Sequence, residues 1–114
     1  MTASERGDVS LVGFIFSDES GTKLRPAVVV STRDDQRTRQ EVVTAAVTSN
    51  LNRRLFGDHR LADWREAGLL FPSVVTGIYR TIKRSMIERK LGALSERDIA
   101  GIDAAIRLSL GVGP

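Results

Sequence analysis

The chain has 114 residues, 41% of them hydrophobic and 27% charged, the balance of one soluble globular domain rather than two. It has no cysteine, which excludes disulfides, thiolate metal sites and cysteine nucleophiles, and no apolar stretch near the roughly 20 residues that span a bilayer. Net charge is +3 with a sequence pI of about 9.9, which permits an anionic partner without requiring one, and the opening MTASERGD has no apolar signal core, so the expected address is cytoplasmic.

In chain order, Asp8 to Phe16 (DVSLVGFIF) reads as a first strand, rich in branched and aromatic side chains, with Gly13 marking a bend or a close backbone approach. Ser17 to Lys23 is a polar, glycine-bearing loop. Arg25 to Ser31 is the second strand. Its Val28, Val29 and Val30 show no polar alternation, so it is expected to be buried on both faces. Arg25 then stands at the mouth of a dry strand, beside a proline that fixes the backbone and withholds an N–H. Such an arginine is either a solvated guard against aggregation or a held cation waiting for an anion.

Thr32 to Gln40 is a charged connection, and Glu41 to Thr48 the third strand. Ser49 to His59 is a basic loop, LADWREAGLL a short extended piece with a turn at Gly68, and FPSVVTGIYRTI a strand in which Pro72 suggests an edge start and Gly77 a bulge. Arg84 to Leu94 combines a helical turn with a last strand. Ser95-Glu96-Arg97-Asp98 fits a capping box with Asp98 in place of the usual glutamate. Ile99, Ile102, Ala105, Ile106 and Leu110 follow at helical spacing, and Gly111 and Gly113 stop the helix. Short strands and a terminal helix predict a small curled sheet or barrel, mainly β, and the pattern does not separate an SH3-like barrel from an OB-fold.

The positive charge is uneven. Arg80, Lys83, Arg84, Arg89 and Lys90 fall within eleven residues against Glu88 alone, the footprint of a basic surface suited to phosphate backbones. There is no P-loop and no dinucleotide glycine fingerprint. The single histidine, His59, cannot supply a pair of imidazoles, and beside Asp58 it is expected to be solvated. Trp64 is expected as a core or rim anchor, and Phe14 and Phe16 as core.

Taken in order, Arg6-Gly7-Asp8-Val9, Arg25-Pro26-Ala27-Val28-Val29-Val30, Val47-Thr48-Ser49-Asn50, Ala67-Gly68-Leu69, Pro72-Ser73-Val74-Val75, Arg80-Thr81-Ile82 and Lys90-Leu91-Gly92-Ala93-Leu94-Ser95 resemble the MazF/PemK family of bacterial toxin endoribonucleases. The resemblance runs from about Arg6 to Leu110. It implies an SH3-like β-barrel with a C-terminal α-helix, a homodimer, and metal- and cofactor-independent cleavage of single-stranded RNA. In that chemistry the ribose 2′-hydroxyl attacks the adjacent phosphate and leaves a 2′,3′-cyclic phosphate and a 5′-hydroxyl. It also implies a cognate antitoxin whose acidic C-terminal tail occupies the RNA site.

The resemblance places the catalytic pair on Arg25 and Thr48. A planar guanidinium donates two parallel hydrogen bonds to the non-bridging oxygens as charge builds on them, and a threonine hydroxyl adds a third donor. Arg80 and Thr81 match the family, and Arg80, Arg53, Arg54 and Lys83 are expected to track the RNA backbone. The chain departs from several relatives after Val75: Thr76-Gly77-Ile78 lacks the arginine and the acid they carry there. The acid–base partner is then open, with Glu19 in the first loop as the candidate. A non-enzymatic reading on the same scaffold, a CcdB-like gyrase inhibitor or a binding-only RNA-binding relative, is the alternative.

Overall fold

The computed structural model describes residues 4–15, 21–52 and 55–113. Six strands form one antiparallel sheet: β1 Asp8–Ile15, β2 Thr22–Val29, β3 Glu41–Thr48, β4 His59–Arg60, β5 Val74–Lys83 and β6 Ile87–Ala93, in the spatial order β4-β5-β3-β2-β1-β6. Among the described residues two α-helices accompany it, α1 Arg33–Arg39 and α2 Glu96–Leu110, and the helical turn expected before the last strand is a 3-10 turn at Arg84–Met86. The expectation of a mainly β fold with a terminal helix holds. The ladder leaves β4 and β6 as its two ends, so the barrel is curled without being closed by hydrogen bonds.

The valine run behaves as its composition demands. Val28 and Val29 are buried together with Ala27, and alternation sends them to two different cores, while Val30 is half-buried just past the end of β2. Val28 joins Val9, Ala45, Val47, Val75 and Ile102 beneath α2. Ala27 and Val29 join Val12, Val42 and Ile82 on the opposite face, where Phe14, Met86 and Ile87 pack against them. At about 25 cal/mol per Å² of apolar surface, the second half of β2 thus contributes to both cores at once.

The β2–β3 ladder begins at Ala27↔Ala46, one residue past Pro26. From Thr22 to Pro26, β2 pairs only with β1. Pro26 therefore stands where the ladder stops, and beyond it the strands part. Extending the register by two positions sets Arg25 opposite Thr48, on one face of the sheet.

The bulge expected at Gly77 is present. Ala45 pairs with Tyr79 and Val47 with Val75, so Thr76, Gly77 and Ile78 oppose Ala46 alone. Its freed backbone groups are satisfied by side chains. The Asp58 carboxylate accepts the Gly77 N–H at 3.0 Å, while the Thr76 hydroxyl donates to the Ala46 carbonyl at 2.8 Å and accepts the Ile78 N–H at 3.2 Å.

Two helical readings need amendment. The charged connection contains α1, with Thr32 as N-cap accepting the Asp35 N–H, acids in the first turn and arginines in the last. It has no apolar residue, so hydrophobic periodicity passed over it; capping and the Asp34–Arg37 and Asp35–Arg39 pairs support it instead. Helix α2 starts at the Ser95 N-cap and ends at Gly111 with φ of 68°, as expected. The Ser95 hydroxyl accepts the Asp98 N–H at 3.3 Å as the capping pattern requires, but the Asp98 carboxylate turns to other partners instead of the Ser95 N–H. Of the apolar stripe, Ile102 and Ala105 are buried, Ile99 and Ile106 half-buried, and Leu110 exposed. Among the described residues no helix is long and apolar enough to cross a membrane.

Candidate active site

Where β2 and β3 separate, the sheet opens into a cleft of about 930 Å³. Arg25 and Pro26 enter from β2, Thr44 and Thr48 from β3, Arg80 from β5 and Arg89 from β6. The segment before β5 supplies an apolar lip of Leu69, Leu70 and Phe71, with Leu70 83% and Phe71 63% exposed. Gly68 sets that lip. Its φ is +81°, and a Cβ there would lie 2.1 Å from the Leu91 carbonyl oxygen, so the turn packs backbone to backbone on β6. The Ser73 hydroxyl donates to the Phe71 carbonyl at 2.8 Å and holds the return into β5.

The charge of this cleft is one-sided. Its described lining holds three arginines and no carboxylate. Arg6, Arg33, Arg37, Arg39 and Arg97 each hold a carboxylate elsewhere in the fold. Among the described residues Arg25, Arg80 and Arg89 hold none. Three guanidiniums converging without a counter-charge repel one another, a cost that solvent lowers here and that a bound anion would reverse. Arg80 is steadied by the Phe14 ring, with its guanidinium carbon 4.7 Å from the ring centroid. Phe14 is thus both a core residue and a support for the site. Thr48 is also pre-set: its hydroxyl oxygen accepts the Asn50 N–H at 3.1 Å, which leaves the hydroxyl proton for an acceptor in the cleft.

The structure brings together Arg25, Thr48 and Arg80 from the residues singled out in the sequence. Thr81 and Lys83 are exposed but do not line the cleft; the register Glu41↔Lys83 puts Lys83 at the far end of the β3–β5 ladder. Glu19, Arg53, Arg54 and Phe16 lie outside the described residues. Phe71 carried no site signal, and Arg89 stood out only as one member of the basic run from Arg80 to Lys90. Arg89 reaches the cleft because β6 returns beside β1, opposite Leu11, a long-range pairing that spacing does not encode. Thr76-Gly77-Ile78 brings no charge: Thr76 is buried in the bulge, and Ile78 adds an apolar wall.

The expectation of a solvated His59 is overturned. Its Nε2 lies 2.9 Å from Asp98 Oδ1, and its imidazole packs so closely over Gly101 that a Cβ there would lie 2.1 Å from Cε1. Asp98, 1% exposed, also accepts the N–H of Ala62 at 2.9 Å and of Asp63 at 2.8 Å. Burial alone would push the Asp98 carboxyl up. The Ala62 N–H, the His59 imidazole and the Asp63 N–H outweigh it and hold the group below the usual carboxylate value. Asp63 is held well below that value by a bidentate Arg97 at 2.6 Å and by the Ser95 hydroxyl. This network ties α2 to the segment after β4 and does not line the cleft. Trp64 packs against the core beneath α2, as expected. Among the described residues no cluster of His, Asp and Glu is arranged to hold a metal.

Comparison with known proteins agrees with this architecture. Similar solved structures include a mycobacterial endoribonuclease in complex with its cognate antitoxin (20% identity, 98% of this chain and 99% of that one, TM-score 0.77). Others are the Mycobacterium tuberculosis toxin MazF-mt6 (20%, 94% and 99%, TM-score 0.76) and a chain of MazE–MazF from Deinococcus radiodurans (19%, 99% and 100%, TM-score 0.82). No curated protein matches the chain. The model of PemK-like, MazF-like toxins of type II toxin–antitoxin systems matches residues 5–110, nearly the whole sequence. With that match and the cleft at the parting of β2 and β3, the chain belongs to the PemK/MazF toxin family.

Proposed function

We propose that this chain is an endoribonuclease toxin that cleaves single-stranded RNA in the Arg25–Thr48 cleft without a metal or other cofactor. The observation that carries the reading is the convergence of three carboxylate-free guanidiniums and an oriented threonine hydroxyl on one apolar-walled cleft. The ribose 2′-oxygen attacks the adjacent phosphorus, the P–O5′ bond breaks, and the products are a 2′,3′-cyclic phosphate and a 5′-hydroxyl. Arg25 and Thr48 donate to the non-bridging oxygens as their charge rises, and the Thr48 hydroxyl is already oriented by the Asn50 N–H, so it needs little reorganisation. The 2′-hydroxyl proton needs an acceptor and the departing 5′-oxygen a donor. We assign that exchange to Glu19, which lies in the segment joining β1 to the strand that bears Arg25.

The same cleft suits the acidic tail of a cognate antitoxin, which would place carboxylates where phosphates bind. The exposed Leu108 and Leu110 of α2, with Leu55 and Phe56, suit contact with a second copy of the chain, so a homodimer acting in the cytoplasm is the expected form. Purified protein incubated with long single-stranded RNA in EDTA is expected to give discrete cuts with 5′-hydroxyl ends. Arg25→Ala is expected to slow cleavage by about 100- to 1000-fold. Intact RNA with folded wild-type protein would overturn the nuclease reading in favour of a binding-only inhibitor. An unchanged pH–rate profile in Glu19→Gln would remove Glu19 from the chemistry.

A further inference from the structure

Next to the Arg25 cleft lies a second, of about 600 Å³, on the outer side of β1 and β6. Arg89 lines both, so the two are continuous along its side chain. The second cleft holds Arg33, Arg84 and Lys90 as further cations, with Glu5, Asp8 and Glu88 as its carboxylates. Arg84 is a held guanidinium without a described carboxylate partner. Its Nη2 donates to the Gln36 carbonyl at 3.1 Å, and its buried Nε has no partner among the described residues.

The other two cations are paired in ways a phosphate can share. Arg33 meets Glu5 at 2.7 Å with both side chains more than half exposed, a pair worth little in water. Lys90 meets the nearly buried Asp8 at 3.3 Å, which uses one of its three donors. Glu88 keeps the cleft only weakly positive. Such a balance would not capture an anion unaided, but it would add affinity to a strand already held next door.

We propose that the second cleft is an exosite for the RNA backbone flanking the cut, reached over Arg89. The inference rests on RNA being the ligand of the first cleft. A strand whose scissile phosphate sits at Arg25 leaves past Arg89 and lays a following phosphate between Arg84, Arg33 and Lys90. These contacts position the strand and read no base. A substrate too short to leave the first cleft gains nothing from them.

The test compares wild type with the double variant Arg33→Gln/Lys90→Gln. The probes are a hexanucleotide and a long single-stranded RNA, both 2′-O-methylated so that binding is read without cleavage. Counterion release contributes a salt slope of about 0.7 per phosphate contact on a single strand, so loss of this one contact weakens long-RNA binding about fivefold at about 0.1 M salt and lowers the slope by about 0.7. Hexanucleotide binding is expected to stay within about twofold. Glu88→Gln is expected to tighten long-RNA binding, a gain that misfolding cannot produce. Equal losses on both lengths, unchanged long-RNA affinity in the double variant, or no tightening in Glu88→Gln would overturn the exosite. Wild type that binds long RNA through these residues yet leaves unmodified RNA uncut would keep the exosite and sink the nuclease reading. Wild type that cuts RNA with no length-dependent binding would do the reverse.

Discussion

Replacing Asp98 by asparagine keeps the outline of the side chain and removes its capacity to accept at both ends. Oδ1 takes His59 Nε2 and the Ala62 N–H, and Oδ2 takes the Asp63 N–H. Whichever way an amide is turned at this site, its NH₂ faces a backbone N–H. One orphaned buried donor costs about 1–3 kcal/mol, and losing the charge on the surviving bonds costs about 1 more, so about 3 kcal/mol is expected. Unfolding entropy of about 2.1 cal/mol/K per residue makes 1 kcal/mol worth about 4 °C in a chain of this length, so Tm should fall by about 12 °C at neutral pH. The sign with pH follows from the lowered carboxyl. Its stabilisation is complete above the unfolded value near about 3.9 and is lost as pH falls through the folded value. Thermal melts from neutral pH downward should therefore show a gap between wild type and Asp98→Asn that narrows below about pH 4. A drop smaller than about 4 °C at neutral pH, or a gap that widens on acidification, would refute this account of the network.

Gly68→Ala forces a side chain into a positive-φ position against the Leu91 carbonyl and is expected to cost more than about 2 kcal/mol by urea denaturation, while raising KM for RNA as the Leu69–Phe71 lip shifts. In Gly101→Ala the gain in helix propensity of about 1 kcal/mol is outweighed by the clash with an imidazole that Asp98 holds in place, so the variant should be less stable by about 1 kcal/mol; a stabilised protein would show that His59 moves freely. Thr48→Val keeps the branched shape and deletes the oriented donor, and single-turnover cleavage should slow by about 10- to 100-fold with little change in Tm.

Much of the site could be read in the chain because its causes are local. An unpatterned valine run says that β2 is dry on both faces, and a proline before it says where the ladder must end; together they place Arg25 at an opening rather than in a wall. The polar end of EVVTAAVT puts Thr48 at the close of β3, and Pro72 and Gly77 announce the irregular course of β5. Ser95 and Gly111 bound α2 through capping, which acts within a few residues. Other features had no local cause to read. Helix α1 is built from ion pairs and a cap, with no apolar period. His59 looks solvated beside Asp58 until α2, nearly forty residues later, brings Asp98 to it. Asp98 itself looks like half of a capping box until the chain after β4 offers it two N–H groups.

The amino-acid sequence alone thus indicated the main strands and the terminal helix, since propensity, capping and apolar alternation act between near neighbours, while Arg25 and Thr48 are singled out by the family resemblance and share one cleft in the fold. Tertiary structure alone decided that β6 lies beside β1. That pairing gives the cleft its third arginine, seats the Gly68 turn against Leu91 and joins the first cleft to the second. Which strand neighbours which is settled by burying both sheet faces at once, and that free energy belongs to the whole fold rather than to any stretch of the chain.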